Sequence, residues 1–236
     1  AEVSITVFRE PQGGRDMGIV VVRDLTEALR VEEERAVRER QLGLMLREAH
    51  HRIKNNLQVA SDLLALQAAA ETPACREALG AAARRIRALA AVHEGIRADQ
   101  DVTEVQAGPL IRALAQDLQT SRQGVRFEVT VDERPVTSRA ASALALITAE
   151  LVSNALHHGA PTAVHVCFRV TDGEALLEVR DDGASELPLP GPQDGKFGLR
   201  LVGLLAEEQL GGDFSLLREQ GCTVARARFP LAAPTD

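Results

Sequence analysis

The stretch Glu48-Ala49-His50-His51-Arg52-Ile53-Lys54-Asn55-Asn56-Leu57-Gln58 places two imidazoles, a carboxylate and several cationic or amide groups within a few helical turns. At helical offsets of three and four, His50 shares a stripe with Leu46, Ile53 and Leu57, whereas His51 lines up with Arg47, Glu48, Lys54, Asn55 and Gln58. His50 is therefore expected to face inward. His51 is expected on a polar face, among groups that orient an imidazole and neutralise an arriving phosphate. A lone surface histidine is usually just solvated, and it is this neighbourhood that singles out His51.

A second pattern lies further on. Glu150, Asn154, His157 and His158 fall on one helical face. A carboxylate and a carboxamide one turn apart are hard oxygen ligands suited to a magnesium ion that keeps its waters and shares a nucleotide's phosphates. An amphipathic helix with a polar side explains the same spacing. In Val179-Arg180-Asp181-Asp182-Gly183 a strand ends in a carboxylate and a glycine. Asp181 there can accept a hydrogen bond from an exocyclic amine such as adenine's, and Gly183 lets backbone approach the ligand, although Asp-Asp-Gly is also a good turn. Finally, Lys196-Phe197-Gly198-Leu199-Arg200-Leu201-Val202 puts a glycine at the start of a helix, where free backbone N–H groups can meet phosphate oxygens.

These residues need elements to hold them. Two alternating apolar stretches, Val3 to Phe8 and Met17 to Val22, flank Pro11-Gln12-Gly13-Gly14 and predict a β-hairpin. From Leu25 to about Ala70 apolar residues recur at helical spacing, and Thr72-Pro73 starts a second helix reaching about Ile96. The two form an antiparallel hairpin whose stripes call for a bundle, completed by a second copy of the chain. After Asp101 the pattern is mixed. Helices are expected from Gly108 to about Thr120, from about Ser138 to His158 and from Gly198 to Leu210; strands are expected at 125–131, 163–171, 174–180, 214–218 and 223–229. The order predicts an α+β domain, helices on one face of a mostly antiparallel sheet.

Composition narrows the classes. The 236 residues are 45% hydrophobic and 26% charged but only 3% aromatic, with no Trp or Tyr, so Ala and Leu fill the interior and aromatic platforms for nucleic-acid bases are lacking. A net charge of -7 speaks against a general polyanion binder. Three dispersed cysteines, Cys75, Cys167 and Cys222, suggest neither a disulfide framework nor a zinc site. No apolar run reaches the roughly 18 residues of a membrane span, and no leader pattern opens the chain, so a soluble, unprocessed, cytoplasmic protein without a membrane segment is expected.

In this order the motifs resemble sensor histidine kinases. His51-Arg52-Ile53-Lys54-Asn55-Asn56 is similar to the phosphoacceptor motif of the HWE-related, second HisKA class, in which His-Arg-x-Lys-Asn-Asn replaces His-Glu-x-x-x-Pro. Glu150 to His158 resembles the N box of the GHKL ATPase superfamily, Asp181-Asp182-Gly183 its first glycine box and Phe197 to Val202 its second; Gly221-Cys222-Thr223 resembles the Gly-x-Thr before its last strand. Residues 18–27, with Asp24-x-Thr26, resemble the closing strand of a PAS domain, of which a two-strand remnant is expected at residues 1–26.

The resemblance implies a phosphotransfer and dimerisation hairpin (27–101) and a Bergerat-fold α/β sandwich that binds ATP (102–236). His51 would accept the γ-phosphoryl group and pass it to a response-regulator aspartate, with Lys54 and Asn55 stabilising the transfer. Asn154 would ligate Mg2+, Glu150 would support it or its water, and His157 or His158 would approach the phosphates. Asp181 would read the adenine amine; Gly183, Gly198, Leu199 and Thr223 belong to the ATP-binding boxes. The sequence departs from the pattern in three places. Ser185 replaces a glycine and Glu186 is inserted after it, Lys196 stands where relatives carry a small residue, and Arg52 replaces the acidic base, for which Glu48 is the substitute. A serine kinase of the anti-sigma type and a non-catalytic dimeric scaffold are the alternatives.

Overall fold

The computed structural model describes residues 2–9, 16–23, 25–95, 104–120, 124–157, 160–184 and 197–231. The expected turn at Pro11 to Gly14, and Asp24, Asp101, His158, Ser185, Glu186 and Lys196, lie outside the described residues. The chain divides into two compact units, Ala1–Arg47 and Glu48–Asp236.

In the first unit β1 (Glu2–Arg9) and β2 (Asp16–Arg23) pair antiparallel, Glu2 opposite Arg23 and Arg9 opposite Asp16. Helix α1 (Thr26–Ala70) begins here. Its charged opening turns carry exposed pairs at i,i+4 spacing, Arg30–Glu34 at 3.3 Å and Arg35–Glu39 at 2.9 Å. Each such pair contributes about 0.3–0.5 kcal/mol, enough to favour the helix without packing it.

The second unit starts with the rest of α1 and α2 (Pro73–Gly95). Proline is compatible with the first turn of a helix, and the Arg76 N–H donates to the Thr72 carbonyl at 2.8 Å to start the ladder. The helices run antiparallel and touch through small residues. Ser61, Ala68 and Ala83 are buried, the Ser61 hydroxyl donates to the Ala83 carbonyl at 3.1 Å, and Arg76 Nε donates to the Ala68 carbonyl at 3.1 Å.

The mixed part follows as β3 (Glu104–Gln106), α3 (Ala107–Gln119), β4 (Arg126–Val131), β5 (Pro135–Thr137), α4 (Ser138–His157), β6 (Ala163–Thr171), β7 (Glu174–Asp181), α5 (Phe197–Leu204), β8 (Asp213–Glu219) and β9 (Cys222–Pro230). The three-residue strands β3 and β5, too short to show a period, pair with each other. The main sheet has the order β4-β6-β7-β9-β8, antiparallel except for β4–β6. The β6–β7 turn takes Asp172 and Gly173 at φ 52 and 82 degrees, the left-handed region a two-residue hairpin turn requires.

Strand alternation sends Val164, Val166 and Phe168 of β6 and Ala175, Leu177 and Val179 of β7 into one core with Ile111 of α3 and Leu144, Ile147 and Leu151 of α4. Ala88 and Val92 bring α2 into the same core. Helix α4 is long and apolar enough to cross a membrane by length and composition, but it is mostly buried inside this domain. The expected helix to Leu210 changes character after Leu204. Residues Leu205–Gln209 form a π turn, with the Leu210 N–H bonded to the Leu205 carbonyl at 3.1 Å. A Cβ at Gly212 would overlap the Arg228 carbonyl oxygen, so the chain can enter β8 this close to β9 only with glycine there.

Candidate active site

Helix α1 separates its two histidines as its period dictates. His50 is half-buried and turns towards α2, its Nδ1 3.1 Å from that of His93, the rings 5.4 Å apart at their centroids and tilted by 34°. At that distance one Nδ1 donates and the other accepts. Burial first, and the neighbouring His50 second, hold the His93 imidazole below its ordinary range. His51 is exposed, as are Asn55 and Gln58. Two charges expected beside His51 are engaged elsewhere: Lys54 Nζ donates to Glu94 Oε1 of α2 at 2.6 Å, and Arg52 Nε donates to Glu48 Oε1 at 2.8 Å.

A second cluster sits on α4 and the start of α5. Glu150 is 7% exposed and Asn154, one turn on, is half-buried. A Cβ at Gly198 would run into Oε2 of Glu150 and lie 4.0 Å from Nδ2 of Asn154, so α5 begins close against this pair and a side chain there would make the Glu150 carboxylate shift. Leu199 packs on the core behind it. Glu150 Oε1 accepts a 2.7 Å hydrogen bond from Arg85 Nε of α2, and the Arg85 guanidinium carbon lies 4.7 Å from the centroid of the Phe197 ring. His157 curls back onto its own helix with Nδ1 2.7 Å from the Ser153 carbonyl, so Nδ1 carries the proton.

A third cluster joins β7 to β9. The register sets Asp181 opposite Thr223, and both are buried. Burial pushes the Asp181 carboxyl up to about 6, opposed by the Gly183 N–H, which donates to Oδ1 at 3.0 Å, and by the Arg218 charge. Arg218 ties the neighbourhood together, Nη1 donating to the Gly183 carbonyl at 3.1 Å and to Thr223 Oγ1 at 3.3 Å, Nη2 to the Gly221 carbonyl at 2.7 Å. Asp182 has a different task. It accepts bonds from the Thr162 N–H at 2.7 Å, the Ala163 N–H at 2.9 Å and the Thr162 hydroxyl, clamping the end of β7 to the start of β6. The Thr162 hydroxyl, then the Ala163 amide, hold its carboxyl below the usual range.

Among the described residues no three His, Cys, Asp or Glu side chains cluster as a metal cage. Magnesium does not need one, since it takes one or two protein oxygens and fills its octahedron with water and phosphate. The Asn154 carboxamide and Glu150 carboxylate, one turn apart on α4 and beside the start of α5, fit that requirement by donor type. Sequence reasoning missed Arg85 and Arg218, which carry no motif in an arginine-rich chain, and gave Phe197 no task of its own.

Residues 48–122 match a family described as histidine kinase, and residues 111–229 match the histidine kinase-like ATPase domain. The sensor histidine kinase PdtaS of Mycobacterium tuberculosis is 32% identical over 233 residues, covering 92% of this chain and 45% of that protein. PdtaS of Mycolicibacterium smegmatis is 30% identical over 215 residues, covering 86% and 42%. The chain thus spans about half the length of the curated relatives it matches. The histidine kinase domain of a blue-light activated histidine kinase from Erythrobacter litoralis has the same fold, with a TM-score of 0.60 at 23% identity over 83% of this chain and 94% of that one.

Proposed function

Because the chain belongs to the sensor histidine kinases that join a second-class phosphoacceptor hairpin to a histidine kinase-like ATPase domain, we propose that it phosphorylates its own His51 from ATP and passes the phosphoryl group to a response-regulator aspartate. The observation that carries this reading is the exposed imidazole of His51 beside a half-buried His50 that is already occupied by His93. A nucleophile needs a ring nitrogen that a phosphate can reach, and of the two residues His51 is the exposed one.

In the transfer, a ring nitrogen of His51 attacks the γ-phosphorus in line, the bond to the β,γ-bridging oxygen breaks, and ADP leaves with the bond's electrons. Glu48 takes the imidazole proton once Arg52 releases its carboxylate, while Lys54 and Asn55 steady the transferring group. The buried Asp181 carboxylate accepts from the adenine amine, and with its carboxyl at about 6 it is ionised at neutral pH. Gly183 and Thr223 line that end of the site. The N–H groups at Gly198 and Leu199, His157 or His158, and Lys196 serve the phosphates. Asn154 and Glu150 would hold Mg2+, which when bound neutralises phosphate charge.

The exposed apolar residues Leu46, Ile53, Val59, Leu63 and Leu66 on α1 support a homodimer through the helical hairpin. Residues 1–26 are proposed as the closing strands of a PAS-like sensory domain, and the use of ATP as substrate supports a cytoplasmic location as part of the same proposal.

Incubation with γ-labelled ATP and Mg2+ tests the reading. Acid-labile, alkali-stable label is expected on the wild type and on His50→Gln, and none on His51→Gln. Wild-type labelling of His51→Gln overturns it, acid-stable label on a partner points to a serine kinase, and no label on any form points to a scaffold.

A further inference from the structure

Arg85 does not belong to any motif, yet it reaches from the phosphoacceptor hairpin into the cluster assigned to nucleotide. Its side chain is 21% exposed and that of Glu150 only 9%, so their 2.7 Å pair is largely withdrawn from water. The guanidinium also faces the ring of Phe197, the first residue of α5, a cation–π contact that strengthens as solvent is excluded. Phe197 is otherwise 66% exposed. Arg84, half-buried next door, adds a second positive charge that also feels Glu150.

One carboxylate is thus asked to do two things. Bonded to Arg85 through Oε1, Glu150 cannot turn that oxygen to a metal ion or its water without giving up the guanidinium. We infer that the Arg85–Glu150 pair, capped by Phe197, is an autoinhibitory latch that holds α2 against the nucleotide site and competes with loading of Mg2+ and nucleotide. The inference rests on the nucleotide reading of that site. By linkage, whatever Arg85 costs the nucleotide in affinity, nucleotide costs the latch in stability. Loading then releases one polar tether of the helix that follows the phosphoacceptor, while Ala88 and Val92 keep α2 in the core.

The full chain is the test object. Binding of a non-hydrolysable ATP analogue with Mg2+ is measured by calorimetry for wild type, Arg85→Met, which keeps the aliphatic stem, and Arg112→Met, an arginine 3.9 Å from Glu133 at the surface, as a control. Arg85→Met is expected to bind about fivefold or more tightly, within the usual range of couplings, and the control to bind as wild type. A second readout needs no variant: hydrogen exchange in residues 79–92 of the wild type speeds up on saturation with the analogue. Equal or weaker binding by Arg85→Met overturns the latch and leaves the kinase reading intact. Should that variant fail to fold, unchanged exchange in the wild type overturns it. Binding by neither protein overturns both.

Discussion

His50 and His93 approach each other across the helical hairpin with 3.1 Å between their Nδ1 atoms, one residue before the exposed His51. Two imidazolium rings cannot share that contact, because each Nδ1 would then be a donor carrying like charge. Lys54, one turn after His50 on α1, and Glu94, next to His93 on α2, are bonded to each other.

The pair therefore makes the hairpin sensitive to acid. His93 is held below its ordinary value, so the folded state binds fewer protons than the unfolded chain, and the stability it contributes is present at higher pH and lost as pH falls below about 6.5. Thermal unfolding between pH 5 and pH 8 is expected to show this loss in the wild type and a flatter profile in His93→Leu. An unchanged profile in the variant places the acid sensitivity elsewhere.

Gly198→Ala puts a methyl group where the Glu150 carboxylate lies. The clash is expected to cost about 1–3 kcal/mol of stability, as over-packing commonly does, and to weaken nucleotide binding by displacing the start of α5. Denaturant titration and calorimetry read the two effects separately. A variant that binds and melts as wild type shows that the start of α5 stands clear of Glu150.

Asp181→Asn is expected to trade binding for stability. Burial raises the carboxyl from 3.8 to about 6, so the folded state is the better proton binder, and stability is lost as pH rises through that window. Replacing the charge should raise unfolding stability at neutral pH by about 1–3 kcal/mol while abolishing adenine recognition. The wild-type affinity should fall as pH drops through about 6, where the carboxylate that accepts from the adenine amine is protonated. A pH-independent affinity argues against Asp181 as that acceptor.

Arg218→Ala removes donors to Gly183, Gly221 and Thr223 at once. About 1–3 kcal/mol of stability should be lost with these three hydrogen bonds, and the Asp181 carboxyl should move further up without the Arg218 charge. The check is a comparison of pH profiles for nucleotide binding. The variant's midpoint should lie above that of the wild type, and coincident midpoints contradict the coupling.

Much of this was legible in one sequence because local periods and turn chemistry are local facts. The offset of one residue put His50 in and His51 out, Asp172-Gly173 specified a hairpin turn by the φ values it tolerates, and the alternation in β6 and β7 selected their core face. Short strands such as β3 and β5 lacked the length to show a period, and the π turn after Leu204 depends on packing rather than composition. Long-range pairing lay beyond the sequence altogether. The Asp-Asp-Gly motif did not reveal that Asp182 clamps Thr162 while Asp181 lies buried beside Thr223, and nothing about Arg85 distinguished it from the arginines on either side. Residue types and spacing determined which groups have the chemistry. The tertiary structure decided which of them are free to use it, because a hydrogen bond between residues 65 positions apart leaves no periodic trace in the chain.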